Sequence, residues 1–137
     1  MKRCAALIQL SREHHPALVL ANRAQRMHLE NSEAVLRFMM QVVETFAREL
    51  EPHFQIEETK LLPALTSAGE TELVKRTLTE HEDLRELANQ LKAGNAACLR
   101  RFGEALEKHV RFEERELFAV AESVLSLTTL KTLTPSI

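Results

Sequence analysis

Two stretches of this sequence interrupt an apolar helical stripe with a histidine and a glutamate four residues apart. The first apolar stripe is interrupted by His53 and Glu57, and the second by His109 and Glu113. A carboxylate in place of a core side chain is costly unless a partner compensates its charge. Both stretches are therefore predicted to be helices whose inner faces meet at a polar site. The stripes around the exceptions are Leu36, Met39, Val43, Phe46, Leu50 and Leu61, and Leu99, Phe102, Leu106, Leu117 and Val120.

The composition of the chain indicates an all-α fold. Of its 137 residues, 45% are hydrophobic and only three are glycine, which suits one helical domain with a core. Turn and capping residues divide the chain into four helical segments. We predict an antiparallel up-down-up-down four-helix bundle in a single domain over residues 1–137, with its core at about 10–122 and a bend at Pro52. The predicted helices cover about 12–29, 32–65, 70–93 and 96–122, and a short C-terminal helix or arm covers 125–137.

Charge and cysteine content argue against several classes of protein. Eighteen Lys and Arg balance twenty Asp and Glu, which is unlike the basic surface of a nucleic-acid or membrane-surface binder. No stretch approaches the roughly 20 apolar residues that span a bilayer, and Met1–Leu10 does not resemble a signal peptide. Cys4 and Cys98 form no CxxC motif, so we expect reduced thiols. We expect a cytoplasmic protein that binds neither nucleic acid nor membrane.

Further histidines are predicted to face the same core. His81 lies on the apolar face of the third helix. On the first helix, His14 and His15 are adjacent, and a helix directs only one of them inward. Counting about 100° per residue places His14 on the inner side, whereas Pro16 implies a helix start close by and leaves His15 open. His28 also falls on the inner side, but it has no carboxylate partner and is assigned to the core.

The two halves of the chain repeat one arrangement of these residues. Glu13-His14 precedes the first His-x-x-x-Glu-Glu motif as Glu80-His81 precedes the second. Approximate two-fold packing of the halves would bring four histidines and two glutamates together at the centre of a bundle.

This set of side chains favours a metal site. Neutral imidazoles bind Fe, Zn, Cu or Ni, and carboxylates bridge two ions. We predict a dinuclear centre in which each ion has two imidazoles and shares both carboxylates. Glu58 and Glu114, which follow the predicted bridges, are interpreted as solvated groups or as groups that orient an imidazole. The candidate ligands are His14 or His15, His53, Glu57, His81, His109 and Glu113.

These motifs resemble the hemerythrin-like, or HHE cation-binding, domain over about residues 10–122. The resemblance implies a four-helix bundle that holds two Fe ions bridged by oxo or hydroxo. It also implies family roles in reversible oxygen binding, in sensing oxygen, nitric oxide or redox state, and in iron handling. By the same resemblance the terminal ligands are His14 (or His15), His53, His81 and His109, and the bridges are Glu57 and Glu113.

The sequence departs from the oxygen carriers of this family at one position. They resemble this chain but have a second histidine one turn after that of the third helix, where Arg85 stands here. A more open ion pair favours peroxide or nitric oxide chemistry over oxygen transport. The absence of Tyr, Trp and any Glu-x-x-His motif disfavours radical enzymes and ferritin-like oxidases.

The expected function is therefore binding or sensing of a small diatomic ligand or peroxide, with iron handling as a further family role. The sequence favours a ligand-binding protein over an enzyme. One alternative is a di-iron peroxidase or a nitric-oxide-reducing enzyme. The other is a bundle in which Zn or another divalent metal is purely structural.

Overall fold

The computed structural model describes residues 5–30 and 32–132. Helices and turns make up this part of the chain, and none of its residues lies in a strand, so the prediction of an all-helical fold is confirmed. A short 3-10 turn, Ala96–Cys98, precedes the fourth helix. The helices are α1 (Ala5–Arg26), α2 (a continuous run over residues 32–67), α3 (Thr71–Lys92), α4 (a continuous run over residues 99–124) and α5 (Leu127–Lys131).

Helix α1 is displaced toward the N-terminus relative to its predicted span of 12–29. It contains Pro16 in its interior, so the inference that the helix starts near this proline was wrong. A proline there removes one backbone hydrogen bond, but burial of Leu7 and Leu10 stabilises the turns before it. Because α1 ends at Arg26, His28 lies in the following loop with an exposed side chain. It is not the core residue that the sequence predicted.

Helices α2 and α4 contain turns of π type, in which backbone N–H groups bond five residues back instead of four. The N–H of Leu62 donates to the carbonyl of Glu57, and that of Phe118 donates to the carbonyl of Glu113. A π turn thus begins at the glutamate of each His-x-x-x-Glu motif. Helix α2 comprises Ser32–Thr45, the π turn Phe46–Leu50, Glu51–Ile56, the π turn Glu57–Leu61 and Leu62–Ser67, and α4 comprises Leu99–Phe112, the π turn Glu113–Leu117 and Phe118–Val124.

Two prolines follow the π turns of α2. Pro52 comes two residues after the π turn that ends at Leu50, and Pro63 comes two residues after the one that ends at Leu61. Proline lacks an N–H and crowds the carbonyl four residues back, so a wider turn just before it relieves the conflict. At Pro52, where the sequence predicted a bend, the helix has this local widening.

Each π turn adds one residue and so changes which residues face the core. Before the first π turn of α2, Val35 is 3% exposed whereas Leu36 is 56% exposed. After the π turn of α4, Ala121 is fully buried whereas Val120 is only partly buried. The stripes predicted through Leu36 and Val120 are therefore wrong by one position at these ends.

Two apolar clusters form the core, with the inward histidines between them. Along α1, Leu10 of the smaller cluster is followed by His14 and then by Ala17 of the larger cluster. Along α2 the order is reversed, because Leu50 of the larger cluster comes before Leu61 of the smaller one. Helix α3, like α1, contacts the smaller cluster first and the larger one second, whereas α4, like α2, contacts the larger cluster first.

Gly103 allows close packing of α1 against α4. A β-carbon at this position would lie 2.6 Å from the carbonyl oxygen of Ala21 and 3.0 Å from the β-carbon of Ala24. We expect Gly103→Ala to lower the free energy of unfolding by about 1–3 kcal/mol, because overpacking against backbone exceeds the gain in helix propensity. Chemical denaturation measures the effect, and a stability equal to or above that of the wild type would contradict the close contact.

The C-terminal prediction of a short helix is confirmed as far as the structure describes that segment. Helix α5 begins after Ser126, whose side-chain oxygen accepts a hydrogen bond from the N–H of Thr129 at 3.1 Å. Leu130 inserts into the smaller apolar cluster, so α5 covers one end of the core. The rest of the predicted arm, residues 133–137, lies outside the described residues. None of the described helices has the length and hydropathy needed to cross a membrane.

Candidate metal centre

Six of the seven candidate residues meet between the two apolar clusters. His15 is the exception, because it is exposed on the outer face of α1. Of the two adjacent histidines on this helix, the structure therefore brings His14 into the cluster. Each of the six is at most 4% exposed: His14, His53, Glu57, His81, His109 and Glu113.

Glu113 lies within 4 Å of all four buried histidines. Its Oε1 is 2.8 Å from Nε2 of His14 and 3.6 Å from Nε2 of His53. Its Oε2 is 3.0 Å from Nε2 of His109 and 3.6 Å from Nε2 of His81. All four imidazoles thus direct Nε2 at one carboxylate, with two on each oxygen.

Glu57 completes the arrangement from the opposite motif. Its Oε2 lies 3.2 Å from Nε2 of His53, and its Oε1 lies 3.1 Å from Nε2 of His81. Each carboxylate therefore contacts histidines of both halves of the site. The π turns that begin at these glutamates lie within the same helical runs as their motif histidines, so both side chains remain on the inner face.

The ligand atoms form two overlapping groups of the size that one metal ion requires. One group is His14, His53, Glu57 and Glu113, and the other is Glu57, His81, His109 and Glu113. Within each group one ligand atom per residue lies within 4.8 Å of all the others. Two imidazoles and two carboxylates form a donor set typical of Fe or Zn. The shared glutamates are the pair that the sequence predicted to bridge.

Several buried polar atoms of the cluster have no hydrogen-bond partner. Both carboxylate oxygens of Glu57 lack a hydrogen-bond partner, and so does Oε2 of Glu113. An unsatisfied buried carboxylate is strongly unfavourable, and a bound cation would satisfy these oxygens together with the imidazole nitrogens. The donor set therefore fits a metal. The unpartnered imidazole nitrogens are Nδ1 of His14 and Nε2 of His53, His81 and His109.

The pKa values of the cluster indicate that its buried carboxylates stabilise positive charge on the groups around them. Burial by itself lowers the pKa of His109, but attraction to Glu113 more than offsets it and raises the pKa to about 10. Burial likewise opposes protonation of His81, yet its contacts with Glu113 and Glu57 raise the pKa to about 9. The same attraction, mainly to His109, outweighs burial and holds the pKa of Glu113 well below its usual value. Without a metal, protons on the imidazoles compensate the buried carboxylates.

Each buried imidazole also meets an outer carboxylate through its second nitrogen. The Nδ1–H of His53 donates to Glu13 at 2.8 Å, and that of His81 donates to Glu58 at 2.6 Å. Such hydrogen bonds fix the orientation of the ring and make its Nε2 a stronger metal donor. The Nδ1–H of His109 donates likewise to Glu80 at 2.8 Å. Nδ1 of His14 lies 3.4 Å from Oε1 of Glu114 without a hydrogen bond.

The outer carboxylates follow the internal repeat. Glu58 and Glu114, which follow the shared glutamates in sequence, contact the lone histidines of α3 and α1. The structure thus favours the orienting role over the solvated one for Glu58, which hydrogen-bonds to His81. Glu13 and Glu80, which precede the lone histidines, bond instead to the histidines of the His-x-x-x-Glu motifs. Their role was not predicted from the sequence, although the repeated Glu-His pair is the signal that identifies them.

Arg85, one turn after His81 on α3, lies outside the cluster of ligand atoms. Its guanidinium lies 2.8 Å and 2.9 Å from the two carboxylate oxygens of Glu51, and 2.9 Å from Glu58. The arginine therefore supports the carboxylate that orients His81, and it adds no metal donor.

A cavity of about 180 Å³ adjoins one side of the cluster. It reaches His14, His53 and His109, and otherwise has mainly apolar walls that include Leu20 and Leu106. The exposed residues Pro16, Arg48, Glu49 and Pro52 also line it, so the cavity extends to the surface. Its volume suits a few water molecules or one small ligand.

Comparison with protein families matches residues 6–121 to the model of the hemerythrin HHE cation-binding domain. The match covers all six buried residues of the cluster. Comparisons with curated proteins and with solved structures found no match.

Proposed function

Because the chain belongs to the hemerythrin HHE cation-binding domain family, we propose that its buried cluster holds two iron ions and binds a small ligand. The ligand is dioxygen, nitric oxide or peroxide, and the protein is a sensor or a reversible binder. The observation that carries this proposal is the pair of overlapping donor groups that share Glu57 and Glu113. A site for one structural ion has no need for a second pair of imidazoles.

The proposed ligands divide evenly between the two ions. His14 and His53 hold one, and His81 and His109 hold the other. When bound, the iron pair supplies redox chemistry and coordination positions for a small molecule. The two carboxylates offset the positive charge of the ions, and the outer glutamates keep the imidazoles oriented.

Aromatic side chains also hold the imidazoles in place. The ring of Phe54 stacks on His81 with centroids 4.0 Å apart, and that of Phe118 stacks on His14 at 5.3 Å. Rings packed in this way restrict rotation of the imidazoles. They also exclude water from the site, which strengthens its electrostatic interactions.

The proposed ligand enters through the cavity beside His14, His53 and His109. The apolar walls favour an uncharged diatomic molecule or hydrogen peroxide over a charged metabolite. Its limited volume excludes larger organic substrates.

The proposed fold around this site is the antiparallel up-down-up-down bundle. The alternating order of the two apolar clusters along α1, α2, α3 and α4 supports it, because successive helices must then run in opposite directions. The short connections between the helices support the same arrangement.

We expect protein expressed with iron to contain about two irons per chain. Its near-ultraviolet and visible absorption should change on reduction with dithionite and return in air, because a ligand-binding iron pair changes its oxidation state. Metal analysis and absorption spectroscopy measure both properties. Zinc in the isolated protein, with no absorption that responds to reduction, would contradict the proposal and support a structural metal site.

A second candidate function is catalytic reduction of peroxide or nitric oxide. The position of Arg85 favours it, because the arginine pairs with Glu51 and Glu58 and leaves four imidazoles for two ions. Steady-state turnover distinguishes the candidates. Repeated consumption of peroxide or nitric oxide in the presence of a reductant supports the enzyme, and uptake of one ligand per site without turnover supports the binding protein.

A further inference from the structure

The two halves of the site differ in the residue that lies one turn before each Glu-His pair. Glu13, which accepts the Nδ1–H of His53, has Gln9 one turn before it. Glu80, which accepts the Nδ1–H of His109, has Arg76 one turn before it. Aligning Glu13-His14 with Glu80-His81 places Gln9 and Arg76 at equivalent positions.

Gln9 and Arg76 contact their glutamates in the same way, but Gln9 is neutral and Arg76 is positively charged. The amide of Gln9 donates to Oε2 of Glu13 at 3.4 Å, while the imidazole of His53 bonds to Oε1. The guanidinium of Arg76 donates to Oε2 of Glu80 at 3.0 Å, while the imidazole of His109 bonds to Oε1. A neutral donor therefore supports one outer carboxylate, and a cation supports the other.

Two further contacts place Arg76 beside Glu80. A second guanidinium nitrogen lies 3.2 Å from the carboxylate of Glu116, and the guanidinium lies 3.9 Å from the ring centre of Phe112. The ring and the second carboxylate keep the arginine next to Glu80.

The positive charge of Arg76 is expected to make Nε2 of His109 a weaker metal donor, because Arg76 and His109 share the carboxylate of Glu80. A carboxylate that accepts an imidazole N–H raises the electron density on the opposite ring nitrogen. When an arginine shares that carboxylate, less negative charge remains for the imidazole. The positive guanidinium also repels a metal cation bound at the ring.

We propose that Arg76, acting through Glu80 and His109, makes the metal position of His81 and His109 the weaker of the two. This inference rests on the proposed function, because it requires two metal positions. Arg76 is a positioning residue that sets the donor strength of His109, and Gln9 leaves His53 the stronger donor.

Stepwise removal of Zn²⁺ from the loaded full-length protein tests this order. Zn²⁺ uses the same donors as iron, and it is diamagnetic, so ¹H–¹⁵N spectra of the imidazoles report each half of the site. As the concentration of a competing chelator rises, we expect the signals of His81 and His109 to change before those of His14 and His53. Simultaneous loss, or the reverse order, would overturn the inference.

Exchanging the two residues tests the cause of the difference. We expect Arg76→Gln to tighten binding at the His81 and His109 position on the order of tenfold, and Gln9→Arg to weaken the other position by a similar factor. The double variant should reverse the order of loss. Constants that equal those of the wild type in both single variants would refute the role of Arg76.

Two controls separate charge from structure. Arg111→Gln removes an arginine that pairs with Glu107 at the same helical spacing, and it should leave both constants unchanged. Arg76→Lys keeps the positive charge, so it should retain the weaker constant of the wild type. Equal weakening of both positions by Arg76→Gln and Arg76→Lys would show a merely structural role. A protein that holds only one Zn²⁺ would overturn the two-ion site itself, whereas two ions lost in an order independent of residues 9 and 76 would overturn this inference alone.

Discussion

Replacing Glu113 with glutamine is expected to abolish binding of both metal ions. The carboxylate lies within 4 Å of all four buried histidines and belongs to both donor groups. Glutamine has nearly the same shape, but it lacks the charge that offsets the cations. We expect metal content to fall from about two ions per chain to near zero, because affinity should drop well beyond the roughly 10–100-fold effect of losing an orienting partner.

A comparison within the same helix makes this result interpretable. Glu104→Gln changes an exposed carboxylate of α4 and should retain both ions. Glu114→Gln removes the negative charge 3.4 Å from Nδ1 of His14 and should weaken binding while the site remains occupied at saturating metal. Metal analysis after dialysis, combined with circular dichroism to verify folding, measures all three variants. Two ions retained in Glu113→Gln would show that this carboxylate does not bind the metals.

Metal-free protein is expected to lose stability as the pH rises above neutrality. The pKa values of His81 and His109 are raised to about 9 and about 10 in the folded chain. A raised histidine pKa stabilises the fold fully below the unfolded value of about 6.5, and this contribution disappears as the pH rises through the folded value. The two histidines together predict a loss on the order of 5 kcal/mol between about pH 6.5 and 10.

At low pH, the stability of the metal-free protein is expected to fall as the pH decreases. The pKa of Glu113 is held well below its usual value, so its contribution is present above about pH 4.5 and is lost as the pH falls further. Metal-free protein should therefore be most stable between about pH 4.5 and 6.5. Bound metal takes the place of the protons on the imidazoles, so the loaded protein should keep its stability to higher pH.

Thermal unfolding with and without a chelator checks this pH dependence. We expect the chelator to lower Tm far more at pH 9 than at pH 6, by a difference on the order of 10 °C. A metal-free Tm that stays constant or increases between pH 6.5 and 9 would contradict the charge balance described for the cluster. His15→Gln is the matched control, because this exposed histidine should leave the pH profile unchanged.

The sequence predicted the inward residues of the site better than the ends and the phase of the helices. The spacing of His53 with Glu57 and of His109 with Glu113 requires only that each segment be helical, because residues four apart share a face in any such helix. The span predicted for α1 was wrong because Pro16 was interpreted as a helix start. The stripe through Leu36 was wrong because a π turn adds a residue, which a constant helical period does not include.

The amino-acid sequence by itself determined that the fold is helical and that two equivalent His-x-x-x-Glu motifs direct polar groups into an apolar core. These properties follow from local periodicity and from repetition along the chain. The tertiary structure decided that His14 rather than His15 joins the cluster, and that Glu13 and Glu80 serve histidines on neighbouring helices. It also decided where the cavity lies and that Arg76 donates a hydrogen bond to Glu80. Such contacts depend on the relative register of packed helices, which is set by long-range packing and not by the spacing of residues within one helix.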